Sequence, residues 1–239
     1  MEKVPVARTV VMTGGGIKGA VMAARYAPQG ELILWHGDYG QRAASAERAA
    51  VEGLARTFPK AKVVAATLPQ VEELSGLLQA TPGAESRRGR TADSEAGGIT
   101  PTALSGLLPV LVSSAAQCAL QVGAKQLGIG LSRLCNADHL GLTGLEGRPG
   151  WLEEFRYGLN LMLETLSGPR AALLVETPLG NLSYAEIMAL AHHFQLPLEE
   201  AWSCSRAVRR PCGKCATCRA RTAALAVVGV SDTLAIGMS

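Results

Sequence analysis

Short β-branched runs and longer periodic ones alternate along this chain. Arg8 to Thr13 (RTVVMT), Glu31 to His36 (ELILWH) and Lys62 to Thr67 (KVVAAT) each predict a short buried strand. Between them, Ala20 to Tyr26 and the alanine-rich Ala43 to Arg56, charged on one face, predict helices. Strand, helix, strand, helix, strand at this spacing implies parallel pairing through right-handed crossovers. Further on, the long apolar segment Leu104 to Val122 predicts a buried helix with Pro109 in its first turn. Gln126 to Leu131 and Ala171 to Thr177 predict a fourth and a fifth strand, and Trp151 to Leu166 and Ser183 to Phe194 two more helices. Residues 81–101, polar and glycine-rich, are expected to form a mobile surface loop over a ligand pocket. The expected organisation is an α/β core over residues 1–200 and a C-terminal segment, 201–239, packed on it.

Composition narrows the function classes. With 239 residues, 48% hydrophobic and 18% charged, the chain can bury one full α/β core with a small appendage. A formal net charge of +3 without a long basic run tolerates anionic ligands but demands no nucleic-acid partner. Aromatics at 4% weigh against a base-stacking surface. The start, MEKVPVARTVVMTGGG, has no signal-peptide pattern, and no apolar run is long enough to span a membrane. A cytoplasmic location is therefore expected, where six cysteines argue for metal or free thiols rather than disulfides.

Four of those cysteines, Cys204, Cys212, Cys215 and Cys218, are spaced C-x7-C-x2-C-x2-C. Two-residue spacings let a tight turn present successive sulfurs to one ion, and four thiolates suit a closed, structural Zn²⁺ site. Free thiols, a redox pair or an iron–sulfur cluster are the alternatives. Arg206, Arg209, Arg210, Lys214, Arg219 and Arg221 would offset the charge of a four-thiolate zinc centre.

After the first strand comes TGGGIKGA, opening a helix. Thr13, Gly14, Gly15, Gly16, Lys18 and Gly19 form a candidate phosphate loop, since such a turn aims backbone N–H groups and a helix N-terminus at an anion. The segment HGDYGQR holds Asp38, Tyr39, Gln41 and Arg42, substrate-side candidates because ligands bind beyond the C-terminal ends of parallel strands. Together with ETPLGNLSYAEI (Glu176 to Ile187), RPGWLEEFRYGLNL (Arg148 to Leu161) and the cysteine cluster, these segments resemble, in order, the 7-cyano-7-deazaguanine synthases of queuosine-precursor biosynthesis, which are PP-loop ATP pyrophosphatases.

That resemblance implies a doubly wound parallel sheet of the adenine-nucleotide α-hydrolase type with a four-cysteine zinc knuckle, usually dimeric. It also implies ATP and Mg²⁺ as partners. The implied reaction adenylates the carboxylate of 7-carboxy-7-deazaguanine, forms an amide with ammonia, and dehydrates it to the nitrile by a second activation. The family loop reads S-G-G-x-D-S. Here Gly14 stands at the first serine, Lys18 at the aspartate and Gly19 at the last serine; a second register puts Thr13 at the first serine. The family's P-G-R-N falls near Ser105 to Leu108 (SGLL). Three readings follow: a diverged synthase acting on a deazapurine-like or carboxylate substrate; a pseudoenzyme with a protein partner; and a nucleic-acid module using the basic knuckle.

Overall fold

The computed structural model describes residues 7–71, 106–132, 150–167, 173–206 and 209–232. Its strands are β1 (Arg8–Met12), β2 (Glu31–Asp38), β3 (Ala61–Thr67), β4 (Gln126–Ile129) and β5 (Leu174–Glu176). Its helices are α1 (Ile17–Tyr26), α2 (Ala44–Thr57), α3 (Leu107–Gln121), α4 (Trp151–Ser167), α5 (Tyr184–His193) and α6 (Ala216–Val227).

The strands make one sheet in the order β3-β2-β1-β4-β5, and every neighbouring pair is parallel. Alternate side chains serve opposite faces, as the pleat requires. Val10, Ile33 and Trp35 meet α3 and α4 through Leu108, Val112, Ala115 and Leu152. Val11, Leu32 and Leu34 meet α1, α2, α5 and α6 through Met22, Val51, Ile187 and Leu225. Covering both faces explains why β1 and β2 read as continuous apolar runs rather than alternating ones. The result is a doubly wound α/β sheet.

β1 pairs with β2 on one side and with β4 on the other. The chain order reverses there, so the C-terminal ends of β1 and β4 splay their loops apart and open a crevice. β2 runs further, and its last residues, Gly37 and Asp38, pair only with β3 at Ala66 and Thr67.

Element boundaries follow the expectation to within about three residues: β2 runs on to Asp38, β4 stops at Ile129 and β5 spans Leu174–Glu176. Two further departures bear on the site. α1 begins at Ile17 rather than Ala20, because Gly16, extended at φ −86° and ψ 173°, caps it and draws the loop into the first turn. α6 lies within the cysteine segment, where no helix was expected. Its buried positions are Cys218, Arg221, Ala224 and Leu225, a helical spacing in which Arg221 interrupts the apolar stripe. The expected loop at 81–101 lies outside the described residues, as does Arg148.

Candidate functional site

The turn from β1 into α1 is shaped by its glycines. Gly15 has φ +74°, and a Cβ there would stand 2.6 Å from the Glu47 carbonyl oxygen and 2.8 Å from the Ala50 Cβ. The loop therefore lies against the start of α2 with no room for a side chain. Gly15 N–H donates to Thr13 Oγ1 at 3.0 Å, and Trp202 N–H donates to the Gly15 carbonyl at 2.9 Å. At Gly19 a Cβ would come within 1.9 Å of Thr13 Oγ1. The Thr13 hydroxyl thus occupies the space into which a side chain at residue 19 would begin. The first turn of α1 holds no acidic residue. The N–H groups and positive end of this helix start are suited to an anion.

Beside this loop is a cleft of about 360 Å³ at the strand ends. Thr13, Gly14, Gly16, Lys18 and Gly19 line it, while Gly15 lies behind them. Trp35, Leu111, Ile129 and Leu131 form an apolar wall, and Ser203 and Thr217 add hydroxyls from the cysteine segment. Of the HGDYGQR residues, Tyr39 and Gln41 reach the cleft; Asp38 and Arg42 do not line it. Asp38 instead closes its own turn, Oδ1 accepting from Gly40 N–H at 3.1 Å.

Gln41 is buried, and its amide is spent within the protein. Nε2 donates to the Gly37 carbonyl at 3.1 Å and to Glu47 Oε2 at 2.8 Å, and Oε1 accepts from Tyr39 N–H at 2.9 Å. It holds the loop rather than presenting a polar group to a ligand. Glu47 is the residue that the sequence did not reveal. It lines the cleft, the only acid to do so among the described residues. Burial pushes its carboxyl up to about 7, the charge of Asp38 adds to that, and the Gln41 hydrogen bond opposes it. Only its position one helical turn after DYGQR could have signalled it. His36 is buried, with Nδ1 3.3 Å from the Thr13 carbonyl, and burial lowers its pKa so that the ring is held neutral.

The cysteine centre sits next to the cleft. One ligand atom from each of Cys204, Cys212, Cys215 and Cys218 lies within 4.8 Å of all the others. A tetrahedron with metal–sulfur bonds of about 2.3 Å has sulfurs about 3.8 Å apart, so these thiols fit such an ion. Cys204 and Cys215 Sγ are 4.0 Å apart, and the shared hydrogen bond holds the Cys215 thiol far below its ordinary value. Thr217 Oγ1, 3.1 Å from Cys215 Sγ, acts in the same direction. The cluster is compatible with structural zinc. Cys118 is a separate, half-buried free thiol on α3, raised by burial.

Arg221 departs from the expected basic patch. It is 2% exposed, and its guanidinium is paired bidentately with Asp232 at 2.9 and 2.8 Å. It also donates to the Ala201 and Leu198 carbonyls at 2.8 and 2.9 Å. Arg221 therefore fastens the segment before the cysteines to the chain beyond α6. The other described basic residues, Arg209, Arg210, Lys214 and Arg219, are exposed and Arg206 is half-buried.

Residues 8–229 match the family model described as queuosine biosynthesis protein QueC. A 7-cyano-7-deazaguanine synthase of Methanothrix thermoacetophila is 27% identical over 94% of this chain and 96% of its own length. The enzyme of the same name from Campylobacter curvus is 26% identical over 95% and 96%. Among solved structures, one described as a predicted subunit of tRNA methyltransferase from Methanocaldococcus jannaschii is 16% identical, covers 78% of this chain and 75% of that one, and has a TM-score of 0.43.

Proposed function

Starting from the fact that the chain belongs to the QueC family of queuosine biosynthesis proteins, we propose that it is an ATP-dependent ligase of the 7-cyano-7-deazaguanine synthase type. The observation that carries this reading is the cleft at the reversal of strand order, bounded by the glycine loop, the α1 N-terminus and Lys18. In this reading the phosphates of ATP lie on the loop amides with Lys18 as a point charge, and the apolar wall at Trp35 and Ile129 receives a flat heterocycle. Catalysis here consists of bringing the activated carboxylate and ammonia together while stabilising charge. Thr13 supplies a hydroxyl beside residue 19, where the family serine has become glycine. Tyr39 forms part of the substrate side, whereas Gln41 acts through the loop and Glu47; Asp38 and Arg42 shape the turn from outside the cleft wall.

Lys18 stands where the family loop has its aspartate, and Glu47 is the only carboxyl lining the cleft among the described residues. These groups do not make a protein site for Mg²⁺, which would enter on the nucleotide's phosphates instead. The four cysteines would hold zinc through all four sulfurs, which gives it a structural part. A homodimer in the cytoplasm belongs to the same proposal.

Zinc-replete protein supplied with 7-carboxy-7-deazaguanine, ATP, Mg²⁺ and ammonia is expected to form the amide and nitrile, followed by mass spectrometry. Absence of product together with undetectable calorimetric binding of millimolar ATP would sink the ligase. The basic residue at the family's acid position favours a second reading, a pseudoenzyme that keeps fold and zinc. It predicts a stable protein complex from native extracts without turnover. Light scattering decides the dimer.

A further inference from the structure

The reading above leaves Glu47 without a role toward the ligand. It stands on the first turn of α2, and a Cβ built on Gly14 would lie 3.9 Å from both its Cδ and its Oε2. Its carboxyl is therefore a neighbour of the loop that offers amides to an anion. Buried Gln41 holds Oε2 at 2.8 Å, and no other hydrogen bond reaches this carboxyl among the described residues. Oε2 is anchored and Oε1 has no protein partner among the described residues, in a cleft with an apolar wall.

An oxyanion on the loop would stand beside a carboxylate, and like charges at that range repel. A carboxylate has no hydrogen to offer, whereas the neutral acid donates one and still accepts at its other oxygen. Resting on the reading that the cleft takes an anionic nucleotide or substrate, we propose that Glu47 binds the ligand's oxyanion as the neutral acid. The acid's O–H donates to the oxyanion, the carboxyl keeps the Gln41 hydrogen bond, and binding draws one proton from solvent. The shared chemistry is an oxyanion, either of a phosphate chain or of a substrate carboxylate.

The surroundings agree. Asp38 at the end of β2 and Tyr39 in the following turn act on Glu47 electrostatically; Lys18 on α1 and His36 on β2 line the same cleft, and Arg48 follows Glu47 on α2. Burial disfavours the charged forms of both His36 and Tyr39. Burial and Asp38 together bring Glu47 to about 7, within reach of protonation at ordinary pH. Above that value the free protein carries the carboxylate, so affinity falls as pH rises, about tenfold per unit.

The test is calorimetry on zinc-replete protein at pH 6.0 and 8.0, in two buffers of different ionisation enthalpy, with Glu47→Gln alongside. The ligands are inorganic pyrophosphate, ATP and 7-carboxy-7-deazaguanine, each without divalent metal. Glu47→Gln keeps a donor and carries no charge, and protons taken up by the ligand itself cancel between the two proteins. At pH 8.0 the wild type is expected to take up about 0.9 proton more than the variant and to bind about tenfold more weakly. At pH 6.0 the two agree within about twofold. The wild type's own affinity also falls between the two pH values, a measurement that needs no variant. A proton difference seen with pyrophosphate and ATP places the phosphate chain at Glu47; one seen only with the carboxylate ligand places the substrate there. Equal proton uptake by both proteins, or weaker binding by the variant at pH 8.0, overturns the proposal. So does Mg²⁺ abolishing the pH dependence, which would show that a cation neutralises Glu47. Binding without a proton difference leaves the ligase reading standing, whereas no heat from any ligand removes both.

Discussion

Single atoms decide the behaviour of the glycine loop. Gly19 is required because Thr13 Oγ1 stands 1.9 Å from where its Cβ would be. Gly19→Ser, although it restores the family's residue, is expected to destabilise the protein by about 1–3 kcal/mol in urea unfolding, as overpacking does. Combining it with Thr13→Ala is expected to recover most of that loss, since the conflict is between these two side chains. Lys18→Ala should leave stability within about 0.5 kcal/mol and weaken ATP binding about tenfold by calorimetry, the scale of one charge-assisted contact. Glu47 adds a stability signature of its own. Its folded pKa, about 7, lies above the ordinary 4.5, so the folded state is favoured by protonation and loses stability as pH rises between those values. Glu47→Gln should match the wild type near pH 4.5 and exceed it at pH 8 by up to about 3 kcal/mol, read from denaturant midpoints.

At the scale of elements, the cysteine segment and the glycine loop behave as one piece. Trp202 donates to Gly15 through its backbone N–H, and through its indole N–H to the Cys204 carbonyl at 2.6 Å. α6 begins at the cysteines, buries Ala224 and Leu225 in the core shared with α1, and is fastened by Arg221. Asp232→Ala leaves that guanidinium buried without its carboxylate, a change that costs about 3–5 kcal/mol elsewhere. The expected outcome is a loss of that order in chemical denaturation, with the cysteine residues becoming more reactive to thiol reagents. α5 shows the opposite, a self-sufficient start: Ser183 Oγ accepts from Glu186 N–H while the Glu186 carboxylate accepts from Ser183 N–H. Ser183 and Glu186 have the S-x-x-E spacing such a cap requires. The start of α6 has no such spacing, since its N-cap is Cys215 and its buried stripe contains Arg221.

For the whole molecule, the parallel sheet sets the cleft and the cysteine centre closes one side of it. Ser203 and Thr217, which immediately precede the first and fourth cysteines, line the same space as Lys18. Removing the metal with a chelator is therefore expected to lower the melting temperature and to weaken ligand binding in the cleft together. Re-addition of Zn²⁺ should restore both, followed by scanning calorimetry and titration. Retained affinity in metal-free, folded protein would separate the two parts.

The chain's own pattern was enough for the strand–helix alternation, the glycine turn and the cysteine spacing. Each of these is local: β-branched runs favour strands, a glycine-rich turn tolerates close backbone approach, and two-residue gaps bring thiols to one point. The same pattern placed Gln41 at the strand end but could not say that its amide would be consumed by Gly37, Tyr39 and Glu47. It marked Arg221 as surface charge, although the fold buries it against Asp232. Nor could it set Glu47 beside Gly14, because that proximity comes from packing α2 against the loop. Burial, electrostatic environment and the pairing of polar groups depend on which segments meet across the fold, and those meetings are what tertiary structure alone decided.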